Sequence, residues 1–345
     1  MAVTVCGSHT HSGPTVSKGI GWGELSPEFR EKWIELAVAK GIEAFENEEK
    51  ISAVFYGKSM LKEKLGMNRV LEDGPTDPEI RWIKFIRPDG RTKLLIHNHA
   101  MHGVVFGPAN LLVSADWIGA VNALIINEGI AEDTIFLQGA LGNINTVPVC
   151  VNDVNEGRKH IERISASYVK SLVAGLNNET EMINTNIAFL SRDFLLPVKT
   201  VTPESLRKTA EKLATHGRSK FLIDRLQEMA LYIEAGNSID VMAELQVLKI
   251  GEAVVYAIPG EPFLELGMEL MAKSPGFPVV AAIANGNCRY FPTEDIFARF
   301  SDILSQPSGG YYEIHQGCGR FMPEYQDNIS QFIIEKLLEI VAVCL

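Results

Sequence analysis

The chain has 345 residues, of which 46% are hydrophobic and 22% charged, and a formal net charge of −11. This composition is ordinary for a globular protein, and the acidic balance argues against a nucleic-acid partner, because basic residues are needed to replace phosphate counterions. The sequence contains no apolar stretch of transmembrane length and no basic block for a membrane surface, and Met1–Cys6 is too short for a signal peptide. Five scattered cysteines without a CxxC pair are typical of a reducing compartment, so a cytoplasmic location is expected.

The first predicted element is a short strand over Ala2–Cys6, which leads into the stretch GSHTHSGP at 7–14. If the extended conformation continues through Thr10, His9 and His11 point to the same side, because side chains alternate along a strand. Two converging imidazoles can bind a metal, or divide into one ligand and one acid/base. Two hydrogen-bonded histidines in a loop are the alternative that this stretch leaves open.

Strand and helix signals alternate along the rest of the chain. A capping serine, a proline and an early acid predict a helix from Ser26 towards Asn47. Apolar runs and turn residues predict strands over 51–56, 80–86, 93–98, 134–137, 186–195, 241–250, 253–258 and 278–283. Further helices are predicted over 116–126, 155–176 and 324–343, with a helical hairpin over 203–235 and a helix opened by the PGE at 259–261. The predicted fold is a single α/β domain with a mixed central sheet, flanking helices and the active site at the strand ends.

Chemically capable side chains recur where the predicted strands stop. They are His97, His99 and His102 after one strand, Glu261 after another and Tyr290 after a third. Ligand sites in α/β sheets lie outside the carboxyl ends of strands. His9, His102 and Glu261 would together supply the nitrogen and oxygen ligands of a catalytic zinc, with one position open. The bland alternatives are that Glu261 is an acid in the first turn of a helix, that Tyr290 is a core ring, and that at least one of His97 and His99 is structural.

Eight segments, in this order, resemble the neutral/alkaline ceramidase family, and in particular its shorter prokaryotic members. They are GSHTHSGP, MNR with DPEIRWIKF, NHAMHG, LVSADWIGA, FLQGALGNINT, IPGEPFLELG, ANGNCRYFPTEDIF and GGYYE. The resemblance extends from about Val3 to the last helix. It implies a zinc-dependent hydrolase of lipid metabolism, an amidohydrolase that cleaves the N-acyl bond of a small-molecule substrate.

The resemblance also implies roles for individual residues. The family's metal ligands fall on His9, His102, Glu261 and Tyr290. His11 matches the residue that works beside the metal, where it could move protons, and Arg69 matches an arginine lining the site. Tyr312 matches a tyrosine facing the substrate carbonyl, although the adjacent Tyr311 leaves the register open. Arg69 and Tyr312 could then donate to the oxyanion of the tetrahedral intermediate.

Three departures from the family pattern limit these expectations. Asn145, followed by Thr146, stands where the family's ceramidases carry a serine. The expected domain, a single ceramidase-like catalytic domain over 1–345, begins inside the family's first strand–helix unit and lacks its most N-terminal strand and helix. An uncovered sheet edge there would favour self-association into a homo-oligomer. The C-terminal β-sandwich domain of the long ceramidases is also missing, so ceramide itself is not the expected natural substrate.

Two other functions stay open at this point. One is a metal-dependent esterase or acyl hydrolase, which an amide and an ester sharing one acyl group would separate from an amidase. The other is a non-catalytic binding protein or truncated remnant, which the abrupt start of the chain suggests. The ligand types also do not separate zinc from other divalent ions of similar preference.

Overall fold

The structure is a computed structural model that describes residues 3–16, 24–217, 220–304, 311–316 and 321–344. The α-helices are α1 (Pro27–Glu46), α2 (Asp116–Asn127), α3 (Val154–Leu176), α4 (Pro203–Thr215), α5 (Lys220–Glu234), α6 (Leu264–Lys273), α7 (Glu294–Phe300) and α8 (Ile329–Cys344). The strands are β1 (Ala53–Met60), β2 (Gly66–Asn68), β3 (Glu79–Ile86), β4 (Thr92–His99), β5 (Asp133–Gln138), β6 (Ile144–Thr146), β7 (Thr180–Glu181), β8 (Ile187–Leu195), β9 (Met242–Ile250), β10 (Ala253–Ile258), β11 (Glu261–Pro262), β12 (Phe277–Ala282) and β13 (Tyr290–Phe291). A π-helical turn spans Tyr312–Gln316.

The longer strands belong to two main sheets, and each sheet has both parallel and antiparallel pairs. The five-stranded sheet has the order β5-β4-β3-β1-β7, and the four-stranded sheet has the order β12-β10-β9-β8. Strands β4 and β5 are parallel, as are β10 and β12, and the other neighbours are antiparallel. The predicted α/β class with mixed pairing is therefore confirmed, and the strands expected in one central sheet are distributed over two.

Each sheet carries buried apolar side chains on both of its faces, since successive side chains of a strand point to opposite faces. The face that carries Trp82 packs against α2 and α3, and the face that carries Tyr256 packs against α6 and α8. The opposite faces pack on one another, with Ile83 of one sheet and Val279 of the other in the same apolar cluster. The result is four layers in the order helix, sheet, sheet, helix.

Three predicted elements differ clearly from the structure: the first strand, the last helix, and the helix opened by the PGE at 259–261, which begins at Leu264. The predicted strand over Ala2–Cys6 is wrong for its described part, because residues 3–6 form only one bridge, from Cys6 to Ala284; Ala2 lies outside the described residues. The backbone here bonds to a loop, with Gly7 N donating to Ile283 O, instead of extending a sheet. The last helix begins at Ile329 instead of residue 324.

Helix α1 is confirmed, and its environment differs from that of the other helices. None of its residues is buried, and Trp33 and Phe45 are 48% and 62% exposed. The apolar spacing of α1 therefore predicts a helix, but it does not predict a contact with the core. Within the described part of the chain, no helix has the length and apolarity needed to cross a membrane.

Candidate active site

The loop over residues 7–14 brings His9 and His11 together, although not by strand alternation. His9 has a φ of 62°, in the left-handed region that non-glycine residues rarely adopt. The Nε2 atoms of His9 and His11 lie 3.1 Å apart. The chain is fixed just beyond, where His11 N donates to Gly103 O. The predicted convergence of the two rings is present, and a turn at His9 produces it.

His102 is fully buried and has a defined tautomer. Its backbone N and its Nδ1 both donate to Ile144 O, at 3.0 and 2.9 Å. Since a carbonyl can only accept, Nδ1 carries the hydrogen and Nε2 keeps its lone pair. That Nε2 atom has no hydrogen-bond partner. A histidine fixed through one nitrogen and open at the other is typical of a metal ligand.

Glu261 lies beside this histidine in a short parallel pair of strands. It sits in β11 directly opposite Tyr290 in β13, three residues before α6 begins, so it is not an acid of a first helical turn. Its carboxylate is buried, and Oε2 lies 3.5 Å from His9 Nε2 and 3.4 Å from His102 Nε2. Oε2 has no hydrogen-bond partner, whereas Asn287 Nδ2 donates to Oε1 at 3.3 Å.

The protonation states at this centre favour binding of a cation. Burial by itself raises the pKa of Glu261, but the electrostatic influence of the neighbouring His9 and His102 outweighs it and holds that pKa well below its usual range. Burial lowers the pKa of His102 to about 4. Desolvation of the ring, together with the neighbouring His9 and His102, also lowers the pKa of His11. At neutral pH the cluster therefore combines a carboxylate with lone pairs on the neutral imidazoles of His11 and His102.

The spacing of these atoms matches a tetrahedral metal site. With ligand bonds of about 2.1 Å, neighbouring ligand atoms of tetrahedral zinc lie about 3.4 Å apart. Oε2 of Glu261 is 3.5 and 3.4 Å from the two histidine nitrogens. Ligand atoms of His9, His11 and His102 also lie within 4.8 Å of one another. The residues present therefore fit a divalent cation such as zinc.

Arg69 and Tyr312 form the other half of the candidate site, and Tyr290, which lies opposite Glu261 in the β11–β13 pair, connects it to the candidate metal ligands. The guanidinium carbon of Arg69 lies 5.3 Å from the ring centre of Tyr290 and 6.0 Å from that of Tyr312. The two tyrosine rings meet edge to face, with centres 5.7 Å apart. Tyr311 instead stacks on Phe300, which identifies Tyr312 as the tyrosine of this half.

Sequence reasoning missed two polar residues that support the site. Glu313 is 6% exposed, and its Oε1 lies 2.9 Å from Arg69 Nε. Burial raises the pKa of Glu313, and the charge of Arg69 opposes that shift. Asn287, which donates to Glu261, is the other residue. Each lies inside a segment already singled out, GGYYE and ANGNCRYFPT, and the available signal was a polar residue next to a candidate tyrosine or carboxylate.

Two other histidines near the strand ends have hydrogen-bond partners outside the candidate metal ligands. His97 is buried between Tyr168 Oη at 3.0 Å and Asn122 Oδ1 at 2.9 Å. Nδ1 of His99 donates to the carbonyl of Glu79 at 2.9 Å. The prediction that at least one of these two histidines is structural is confirmed. Asn145 lies in β6, and its Oδ1 is buried without a hydrogen-bond partner.

Comparison with known proteins identifies the fold. No protein-family model and no curated protein matches the chain. The neutral ceramidase from Pseudomonas aeruginosa matches with a TM-score of 0.72 and 16% identity, over 99% of this chain and 60% of that one. A ceramidase complexed with C2 matches with a TM-score of 0.67 and 15% identity, over 99% of this chain and 61% of that one. The chain therefore has the fold of these ceramidases, as its sequence predicted, and spans about three-fifths of their length.

Proposed function

We propose that this chain is a zinc-dependent amidohydrolase of ceramidase type that cleaves the N-acyl bond of a small-molecule substrate within one catalytic domain. One observation carries the proposal: His102 Nε2 and Glu261 Oε2 are buried 3.4 Å apart, and neither has a hydrogen-bond partner. His9 and Tyr290 complete the proposed ligand set. The fold shared with neutral ceramidase supports the same reaction class.

The energetics of burial explain why these two atoms point to a cation. An ionised carboxylate in an apolar interior is costly unless it is paired or bound to a metal. Buried polar groups almost always have partners, so an unpartnered pair is expected at functional sites. A divalent ion between Glu261 and the imidazoles would satisfy both groups at once.

The residues around the ion would divide the hydrolysis between them. When bound, zinc supplies a Lewis acid that polarises the acyl carbonyl and lowers the pKa of a water molecule. His11, neutral and 3.1 Å from His9, accepts the proton of the attacking water and returns one to the leaving amine. Arg69 and Tyr312 donate to the oxyanion that forms when the carbonyl carbon becomes tetrahedral.

A matched amide and ester test this proposal. Zinc-reconstituted protein is assayed on a 4-nitroanilide and a 4-nitrophenyl ester of the same octanoyl group, before and after treatment with a chelator. We expect amide hydrolysis that the chelator abolishes and added zinc restores. His216→Ala, at the exposed C-terminus of α4, is the control for histidine loss and should keep wild-type activity. Ester hydrolysis without amide hydrolysis would favour an acyl hydrolase of another kind, and turnover that survives the chelator would contradict the zinc role.

A further inference from the structure

Glu313 is a buried carboxylate to which the hydrolysis described above gives no role. It follows Tyr312 in the π-helical turn and is 6% exposed. Its Oε1 forms an ion pair with Nε of Arg69 at 2.9 Å, and Tyr311 hydrogen-bonds to the carboxylate. A carboxylate is rarely buried without such a partner, so this pair ties the turn to the segment that carries Arg69.

Arg69 is held from several sides. Its backbone N donates to Asn143 O at 2.9 Å, and its Nη2 donates to Gly142 O at 2.8 Å. Its Nε faces Glu313 off the line of the N–H bond, so this contact is an ion pair and not a linear hydrogen bond. Because the guanidinium is planar, fixing Nη2 and Nε also fixes the direction of the third nitrogen, Nη1.

We propose that Glu313 is a positioning residue that orients the Arg69 guanidinium, and with it the adjoining Tyr312, toward the carbonyl of the substrate. This role rests on the proposed function, since the orientation matters for catalysis only if an oxyanion forms here. Donors that are already oriented stabilise the transition state without reorganisation, whereas a mobile guanidinium must first be ordered. Losing Glu313 should therefore lower kcat and leave KM nearly unchanged.

Three variants separate positioning from a general loss of structure. Glu313→Ala removes the anchor, and we expect kcat to fall roughly 10- to 100-fold with KM within about 2-fold, because a misoriented oxyanion donor is the main loss. Glu313→Gln keeps the shape of the side chain but removes the charge of the ion pair and should recover little of that loss, whereas Glu313→Asp keeps the charge one methylene further from Arg69 and should recover more. Zinc content should stay at the wild-type value in all three. An unchanged kcat in Glu313→Ala, or a loss that follows thermal stability across the series, would overturn the proposal.

A second readout does not depend on turnover. An anchored guanidinium rotates slowly about its Cζ–Nε bond, so the Arg69 Nη groups should give separate ¹⁵N-NMR signals in the wild-type protein. We assign them by their absence in Arg69→Lys and expect them to merge in Glu313→Ala. Signals that are already merged in the wild type would overturn the positioning role. A wild type without zinc and without turnover, yet with separate Arg69 signals, would instead overturn the proposed function and leave the anchoring in place.

Discussion

The two halves of the candidate site are held in place by different forces. The metal wall, defined as His9, His102 and Glu261, is fixed by backbone contacts: Ile144 O sets the His102 ring, and β11 pairs Glu261 in register with β13. The side chains of His102 and Glu261 are at most 2% exposed.

The carbonyl wall, defined as Arg69, Tyr312 and Glu313, adds an ion pair and ring contacts to the backbone contacts of Arg69, and Tyr312 is 43% exposed. The contrast indicates that the metal wall is set by the fold, whereas the carbonyl wall also depends on interactions between side chains. Substitutions in the metal wall should therefore remove the metal, and substitutions in the carbonyl wall should slow the reaction around a metal that stays bound.

Glu261→Gln should have the largest effect, because it removes the anionic ligand and leaves its shape. We expect zinc below a tenth of an equivalent and turnover reduced by roughly 1000-fold or more, since a charged ligand and the Lewis acid are lost together. The control is Glu269→Gln on the exposed side of α6, which should retain zinc. Full zinc occupancy in Glu261→Gln would contradict the assignment of this ligand.

Arg69→Lys should have the next largest effect. Lysine keeps the positive charge and loses the planar fork, so turnover should fall by about 100-fold while zinc content is unchanged. Metal analysis and steady-state kinetics on the same preparation check both parts. The exposed Arg91→Lys serves as the matched change and should keep wild-type kinetics. Loss of zinc in Arg69→Lys would mean that the two walls are not separate.

Tyr312→Phe should have a smaller effect, because it removes one donor and keeps the ring. We expect kcat to fall by roughly 10- to 100-fold, in line with the loss of a single oxyanion donor. Tyr311→Phe is the sharpest comparison, since the Tyr311 ring stacks on Phe300 and its hydroxyl bonds to Glu313. If Tyr311→Phe lowered kcat more than Tyr312→Phe, the assignment of Tyr312 to the carbonyl wall would be wrong.

The smallest effect on activity should come from changing Glu324, which pairs with the π-helical turn and makes the stability of the protein depend on pH. Nδ1 of His315, in the same π-helical turn, lies 2.7 Å from Glu324 Oε1, and Lys199 Nζ lies 2.7 Å from Glu324 Oε2. Burial raises the pKa of Glu324, but the hydrogen bonds and charges of His315 and Lys199 outweigh it and lower the pKa to about 2. A carboxyl group whose pKa is lowered by folding stabilises the protein at pH values above its ordinary pKa. That contribution is lost as the pH falls through the pKa of the folded state.

Glu324→Gln tests this pair by chemical denaturation at two pH values. At pH 6 the variant should be less stable than wild type by about 2 kcal/mol, and most of that difference should be lost by pH 2, close to the pKa of Glu324 in the folded protein. Zinc content at neutral pH should be unchanged, because the metal wall lies outside this pair. An equal difference at both pH values would show that the loss is one of packing and not of charge.

The clustering of the metal-wall residues could largely be predicted from sequence, because they are chemically distinctive residues at the ends of apolar runs. The carbonyl wall could be predicted only in part. Nothing local to Arg69 indicates that Glu313, far along the chain, becomes its partner, and only the ring contacts distinguish Tyr312 from Tyr311. Side-chain packing between distant segments decides both points.

The fold shows the same division between local and distant information. The continuous apolar run in β10 predicts a strand that is buried on both faces, but it does not say which elements cover those faces. The spacing in α1 predicts a helix, but it does not say that Trp33 stays exposed. In each case the local pattern determines the element, and a distant partner determines its surroundings.

Anomalous diffraction at the zinc edge, on crystals of tag-free protein reconstituted with zinc, tests the central claim most directly. The account predicts one strong peak per chain, within ligand distance of His102 Nε2 and Glu261 Oε2, with His9 and Tyr290 completing the ligand set. A folded, zinc-treated protein with no peak between these two atoms would contradict it.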